Sequence, residues 1–380
     1  MPPPFTAAPF TAVQRIDWLR LIRSENVGPI TFYQLLGRFG SAAAALSGLP
    51  ALARRGGRDR PLRICSETAA KAELERIERL GGRLIARDEA DYPRALAAIE
   101  DAPPVISVLG DARRLHRSCV AVVGARNASA NGRRLAGMIA EGLSGAGRTV
   151  VSGLARGIDT AAHLGALKLR DDDAAGGTVA VVAGGLDVAY PPENAALMAE
   201  IGRRGAVVAE CAPGTIPQSR HFPRRNRLVS GLSLGVVVVE AAARSGSLIT
   251  ARMALEQGRD VFAVPGSPLD PRCRGSNGLI RQGATLVEGA DDVLAGLALP
   301  AAAVPAPIWT SPKILPEPTD GEAKKAWVAI LDLLGPDPVE VDELIRQCQF
   351  SAPTVLTVLL ELELAGRLER LPGQRVALLA

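Results

Sequence analysis

Between residues 88 and 300, short apolar runs alternate with stretches of helical spacing. The runs are CVAVVGA (119–125), RTVVSGLA (148–155), TVAVVAGG (178–185), GAVVAE (205–210), LGVVVVEA (234–241), DVFAVPG (260–266) and ATLVEG (284–289). Each is short, valine-rich and bounded by glycine, the pattern of strands buried on both faces. Between them, NGRRLAGMIAEGLSGAG (131–147) and GIDTAAHLGALKL (157–169) carry helical periodicity. Repeated βα units of this kind predict an α/β domain built on a doubly wound parallel sheet.

The flanks follow other periods. Residues 15–87 are helical in pattern. Within them NVGPITFYQLLGRFGSAAAALSGLP (26–50) begins at Gly28-Pro29, carries an apolar stripe at Ile30, Tyr33, Leu36 and Phe39, and turns at Phe-Gly-Ser. That is a small helical hairpin module. Residues 301–320 are proline-rich and predict a linker. Residues 321–380 read as three helices, KKAWVAILDLL, VEVDELIRQ and SAPTVLTVLLELELAG, then a hairpin turning at Pro372-Gly373. Three helices and a β-hairpin predict a winged helix. Residues 1–14 read as a loose tail.

With 380 residues the chain exceeds one ordinary core and calls for two or three domains. No apolar run approaches the roughly 20 residues of a membrane span. The N-terminus has neither a basic region nor a long apolar core, so a cytoplasmic location is expected rather than secretion. The five cysteines are scattered without a CxxC, and there are three histidines, so no metal site is expected. The net charge of +4 is unevenly spread: residues 1–87 carry +7, 88–300 carry +1 and 321–380 carry −3. Any polyanion site is therefore made by local placement rather than bulk charge.

In open parallel sheets, ligands bind where strands end and helices begin. Here those ends read VVGARNAS, VVSGLARGIDTAAH, VAGGLDVAYP, VEAAARSGSLITA and VPGS. Glycine beside Ser, Thr or Arg at such turns offers backbone N–H groups to an anion. A dinucleotide is not indicated, because after Gly124-Ala125-Arg126 the next glycine is Gly132 and no GxGxxG forms. GxxxxGK[ST] is missing too, so no cofactor is expected. Ser152, Asp159 and His163 suggest a hydrolytic triad, but no GxSxG surrounds Ser152. Asp159 and His163, four apart on one helix face, are expected to bond locally or hold a loop.

The stretch SRHFPRRNRLVSG (219–231) sets Phe222 among Arg220, Arg224, Arg225 and Arg227, and no acidic residue lies between Glu210 and Glu240. Arginine forks suit phosphate oxygens, and an aromatic neighbour offers a face to an unstacked base. Four arginines favour a polymer over a single-phosphate cofactor. The alternative is a solvated basic loop with Phe222 plugging the core.

In this order, Tyr92-Pro93, VVGAR (122–126), VSGLARGIDTAAH (151–163), GGLDVAYP (184–191), FPRRNR (222–227), VVEAAARSGSLITARMA (238–254), VFAVPGS (261–267) and GSNGLIRQGA (275–284) resemble the DNA-processing protein A (DprA/Smf) family. The resemblance implies an extended Rossmann-like domain, flanked by a SAM/helix-hairpin-helix-like module and a winged helix. It implies a non-enzymatic, single-stranded-DNA-binding mediator that assists RecA loading in natural transformation and recombination. Carried over by position, Arg126, Phe222, Arg225, Asn226 and Arg227 would contact DNA. The Ser152-Gly153 and Ser245-Gly246-Ser247 turns would donate to phosphates, with Gly124, Arg156, Arg220 and Arg224 completing the set. A homodimer is implied, its face near Ile280 and Leu286. Gly-Ala-Arg stands where Gly-Ser-Arg is common, and Asn277 where a bulkier residue is expected.

The last helix of the winged segment carries Glu361 and Glu363 without Lys or Arg. An acidic helix is unsuited to a major groove, so this module is expected to contact protein rather than read duplex DNA. The rival from another class is a Rossmann-like nucleoside-monophosphate phosphoribohydrolase of the lysine-decarboxylase-like type. Its PGGxGT turn is not matched by RSGSLITA.

Overall fold

The computed structural model describes residues 10–169, 175–298, 320–371 and 373–379. Residues 301–319 of the linker expected at 301–320, Pro372 of the expected hairpin turn and most of the tail lie outside these described residues. The chain divides into two compact units, residues 72–307 and the two ends of the chain, 1–71 with 308–380.

The N-terminal helices are α1 (Ala12–Arg23), α2 (Pro29–Phe39), α3 (Ala42–Arg55) and α4 (Glu67–Arg79). Thr11 and Gln14 form a reciprocal capping box on α1. Pro29 opens α2 and Gly40, in the left-handed region, closes it. The buried face of α2 is Thr31, Phe32 and Leu35 rather than the stripe expected at Ile30, Tyr33, Leu36 and Phe39, which is only half-buried. The cause is aromatic: Phe32 packs edge-on against Trp18 of α1, ring centres 5.0 Å apart, and this contact sets the rotation of the helix.

The central unit contains β1 (Gly82–Ala86), α5 (Arg94–Ala97), β2 (Val105–Gly110), β3 (Cys119–Val123), α6 (Ala130–Gly145), β4 (Thr149–Ser152), α7 (Ile158–Ala166), β5 (Thr178–Val182), α8 (Ala195–Arg204), β6 (Ala206–Ala209), α9 (His221–Gly231), β7 (Gly235–Val238), α10 (Gly246–Glu256), β8 (Asp260–Ala263), α11 (Arg274–Arg281), β9 (Thr285–Leu286) and α12 (Ala290–Ala298). All seven runs anticipated from the sequence are strands, joined in one parallel array, β6-β5-β4-β3-β7-β8-β9. Two antiparallel strands, β2 and then β1, extend it to nine. Residues 82–86 therefore belong to the sheet and not to the helical module expected to reach residue 87. Along β3 the side chains alternate between two cores: Ala121 and Val123 enter one, Val120 and Val122 the other. Double-sided burial of this kind is what the unbroken valine runs encode. Strand order reverses at β3, which pairs with β4 on one side and β7 on the other. A crevice opens at such a switch point.

The C-terminal segment comprises α13 (Asp320–Leu333), β10 (Val339–Glu340), α14 (Val341–Cys348), α15 (Ala352–Ala365), β11 (Leu368–Leu371) and β12 (Arg375–Leu378), the strands in order β10-β12-β11. It is the expected winged helix. On α15, Val355, Val358, Leu359 and Leu362 recur at helical spacing and fill the winged-helix core. The other face, with buried Leu360, Glu361 and Leu364, is also covered. There α15 packs on α3. Arg55 Nε lies 2.9 Å from Glu361 Oε1, and Asn26 Nδ2 donates to the Leu364 carbonyl at 3.1 Å. Glu363 bonds Arg370 at 3.0 Å, and burial, opposed by that arginine, raises its carboxyl above the usual range. The two glutamates that argued against duplex reading are thus structural. No single helix among the described residues is long and apolar enough to cross a membrane.

Candidate nucleic-acid interface

A groove of about 700 Å³ opens at the β3/β7 switch point, lined from the ends of β3, β4 and β7 and from α9. The turn after β3 supplies Gly124, Arg126 and Asn127, the β4 turn Ala155 and Asp159, α9 Phe222, Arg225 and Asn226, and the β7 turn Arg244 to Ser247.

Two of the expected anion seats are already filled, each by a carboxylate of the chain. Glu240, just after β7, accepts from the Ser129 backbone N–H (2.9 Å) and hydroxyl (2.6 Å) at the start of α6. A Cβ on Gly132 would come within 2.4 Å of that carboxylate, so the helix N-terminus is closed over it. Asp159 of α7 accepts from the Gly153 and Ala155 N–H groups at 3.1 and 3.3 Å. Glu240 and Asp159 are 7% and 6% exposed. A carboxylate at a helix N-terminus satisfies the dipole and the free N–H groups that a phosphate would otherwise use. Ser152, fully buried, donates its hydroxyl to the Val122 carbonyl at 2.7 Å. Ser152 and Gly153 are accordingly internal struts, a correction to their expected role as phosphate donors. Gly124 is likewise structural: a Cβ there would meet Ile158 at 2.6 Å.

The third seat is open. Ser245 caps α10, its Oγ 2.7 Å from the Ser247 Oγ, and a Cβ added to exposed Gly246 would touch nothing within 4 Å. Asn226 Nδ2 donates to the Gly246 carbonyl at 3.4 Å, tying α9 to this turn.

The basic stretch is a helix, not a loop, and its 100° spacing sorts the arginines. Arg220 and Arg224 are exposed, and neither has a carboxylate partner among the described residues. Arg227 is buried, and its guanidinium donates to Glu210 Oε1 and the Asp101 carbonyl, each at 2.5 Å. Burial opposes its charge, but Glu210 and Asp101 outweigh that and raise its pKa. Arg225 is equally buried, donates to the Val181 carbonyl at 3.2 Å and faces Asp159. Burial lowers the Arg225 pKa and raises that of Asp159, each opposed by the other's charge. As placed, Arg225 and Arg227 hold α9 to the sheet rather than reach outward, which revises their expected role as direct contacts. Arg156 is exposed but paired with Glu193.

Arg126 is exposed, and its guanidinium carbon lies over the Phe222 ring, 5.0 Å from the centroid. Tyr190, which sequence reasoning passed over within GGLDVAYP, sits 5.5 Å from Phe222 at a 54° tilt. Arg244, also unremarked in the sequence, is exposed on the groove without a carboxylate partner among the described residues.

Ser152, Asp159 and His163 form no triad. His163, fully buried, bonds Thr178 Oγ1 through Nδ1 at 2.8 Å, and that hydroxyl donates to Val150. The imidazole is therefore the neutral Nδ1–H tautomer. Burial, helped by Arg225, pushes its pKa down from 6.5 to about 3. The unfolded chain takes up this proton near 6.5 and the folded chain does not. Stability from this site is thus intact above that pH and falls below it, by up to ~1.4 kcal/mol per pH unit. Urea midpoints of the wild type should drop more steeply than those of His163→Gln between pH 6.5 and about 4. Parallel profiles would contradict this assignment, since Asp159 is common to both proteins.

A second groove, about 590 Å³ between α7 and α8, is lined by Leu164, Leu167 and Leu197; its charged residues Lys168, Glu193, Glu200 and Arg204 are all paired within the chain. Of the expected dimer residues, Ile280 is half-buried on α11, and Leu286 is 48% exposed on β9, the sheet edge. Asn277 exchanges hydrogen bonds with the Gly266 backbone (2.8 and 3.0 Å), so it serves the β8 turn. No cluster of three or more potential metal ligands occurs among the described residues.

Residues 83–298 match the family described as DNA recombination-mediator protein A, residues 12–75 the DprA-like N-terminal HHH domain, and residues 315–374 the DprA winged helix domain. The chain is 40% identical over 303 residues to Protein Smf of Escherichia coli (strain K12), covering 80% of this chain and 79% of that one. It is 47% identical over 204 residues to DNA processing protein DprA of Streptococcus pneumoniae, covering 54% and 70%. Among solved structures it is similar to DprA from Streptococcus pneumoniae (TM-score 0.55, 42% identity, 60% of this chain and 77% of that one). It is also similar to DNA processing protein A from Helicobacter pylori, a structure described for its single-stranded DNA binding mode (TM-score 0.51, 27% identity, 57% and 95%).

Proposed function

For this chain, which belongs to the DNA recombination-mediator protein A family, we propose that the groove at the β3/β7 switch point binds single-stranded DNA and that the protein assists loading of a RecA recombinase, in natural transformation and recombination, from the cytoplasm. The observation that carries the reading is the division of charge at the groove. The seats that would hold a cofactor's phosphates are occupied by Glu240 and Asp159, while Arg126 and Arg244 line the groove with the open α10 N-terminus and Arg220 and Arg224 are exposed at the start of α9. An enclosed nucleotide needs the first set, whereas a polymer tracking across a surface needs the second. The similar Helicobacter pylori protein, named for binding single strands, adds support. In this reading Ser245, Gly246, Ser247 and Asn226 hold a phosphate, Phe222 supports stacking, and no turnover takes place. The protein acts as a homodimer through the β9 edge near Ile280 and Leu286, and the winged helix contacts protein.

Binding of a fluorescent oligo-dT should weaken steeply with salt. Arg126→Ala should flatten the log–log slope by about 0.7 per lost phosphate contact, while Phe222→Ala lowers affinity along a nearly parallel line. Arg227→Ala should destabilise the fold without changing the slope. Millimolar ADP or AMP should not displace the oligonucleotide. Displacement by AMP, followed by its hydrolysis, would favour the phosphoribohydrolase instead.

A further inference from the structure

We propose that Tyr190 is a positioning residue for this single-strand site, and that the surface a base meets is the guanidinium of Arg126 rather than the ring of Phe222. The inference rests on the reading of the groove given above. Arg126 and Phe222 both line the groove, and the guanidinium lies over the ring at 5.0 Å. A base entering from the groove meets a ring face that an arginine already covers. Tyr190 is not part of the groove lining, yet its ring centre is 5.5 Å from that of Phe222, and it is 45% exposed.

The order of contacts is then Tyr190, Phe222, Arg126, nucleic acid. An arginine held over an aromatic ring keeps its outer side for a base and its N–H edges for phosphate oxygens. Holding it there in advance removes part of the entropy lost when a mobile side chain is ordered on binding. Phe222 has the same need one step back: it lies half-buried in the first turn of α9 between exposed Arg220 and Arg224, and Tyr190 is the aromatic neighbour that fixes its tilt. No hydrogen bond is made by the Tyr190 hydroxyl to any described residue, so its ring is the part that acts.

The test is a double-mutant cycle on the full-length chain, read as affinity for fluorescent oligo-dT. Tyr190→Ala should lose about two- to tenfold in affinity, the scale of one aromatic pair, with the salt slope unchanged because no charge is removed. Tyr190→Phe should bind as the wild type does. In a Phe222→Ala background, Tyr190→Ala should cost nothing further, since it acts only through that ring. If Tyr190→Ala does not fold, Tyr190→Leu, which keeps bulk without a ring, is read in the same cycle. An equal loss in both backgrounds, a loss in Tyr190→Phe, or no loss at all would overturn the proposal. A wild type that binds and responds to Arg126→Ala while Tyr190 is silent sinks only this inference. A wild type that does not bind oligo-dT sinks the reading of the groove along with it.

Discussion

Gly153→Ala costs the protein about 3–5 kcal/mol and disables the groove, although the backbone there suits any residue. The obstacle is space: a Cβ on Gly153 would stand 1.3 Å from Arg225 Nη1 and 2.3 Å from its Cζ. The guanidinium is enclosed between that turn, Asp159 and the Val181 carbonyl, with 7% of the residue exposed. Displacing it leaves the Asp159 carboxylate, already raised by burial, without its counter-charge. Breaking one side of a buried pair costs far more than the pair contributes when whole. The check is urea denaturation of Gly153→Ala, Arg225→Ala and the double variant. Once Arg225 is gone the methyl has room, so the alanine should add little to the second loss. Additive losses would show that the turn, and not the arginine behind it, is what glycine serves.

Gly56→Ala should release α15 from α3. A Cβ at Gly56 would come within 2.0 Å of the Glu361 carbonyl oxygen and 2.5 Å of its carbon. These are backbone atoms in the middle of a helix, and they cannot yield as a side-chain tip can. Relief comes from separating the two helices, at the loss of the Arg55–Glu361 pair and the Asn26 bond to Leu364. Overpacking of this kind costs roughly 1–3 kcal/mol. Hydrogen exchange should speed up in α3 and α15 while the nine-stranded sheet is unaffected. Wild-type protection of α15 in the variant would mean that the winged helix does not depend on this contact. At the same junction the face of α15 that carries Leu360, Glu361 and Leu364 is covered by α3.

How far this was readable from the chain alone differs by element. β3 to β8 were visible because burial on both faces demands an uninterrupted apolar run, whereas β9, both of whose residues are exposed at the sheet edge, was read from the run ATLVEG alone. The winged helix was visible from its three helical periods and the Pro372-Gly373 turn. β1 and β2 were not: Gly82–Ala86 follows a helix directly and its burial begins only at Leu84, while VISVLG of β2, an apolar run inside the sheet, was passed over. The basic helix shows the limit for the site. Arg220, Arg224, Arg225 and Arg227 are the same residue four times over, and local sequence gives each the same claim on a phosphate. Their fates part because one helical face meets Asp159, Glu210 and Asp101, which come from three distant segments. The filling of two anion seats by Glu240 and Asp159 was equally hidden. A glycine-rich turn is written locally, but its occupant arrives from across the sheet.

What the sequence by itself determined is the order of the parallel strands and of the winged-helix elements, and the stock of arginines without acidic neighbours, since periodicity and local charge are properties of adjacent residues. Which arginines face solvent, which turns remain open to a phosphate, and which aromatic ring stands behind Phe222 were decided only by tertiary structure. Each depends on one residue meeting another brought from elsewhere in the chain, and packing alone settles who that neighbour is.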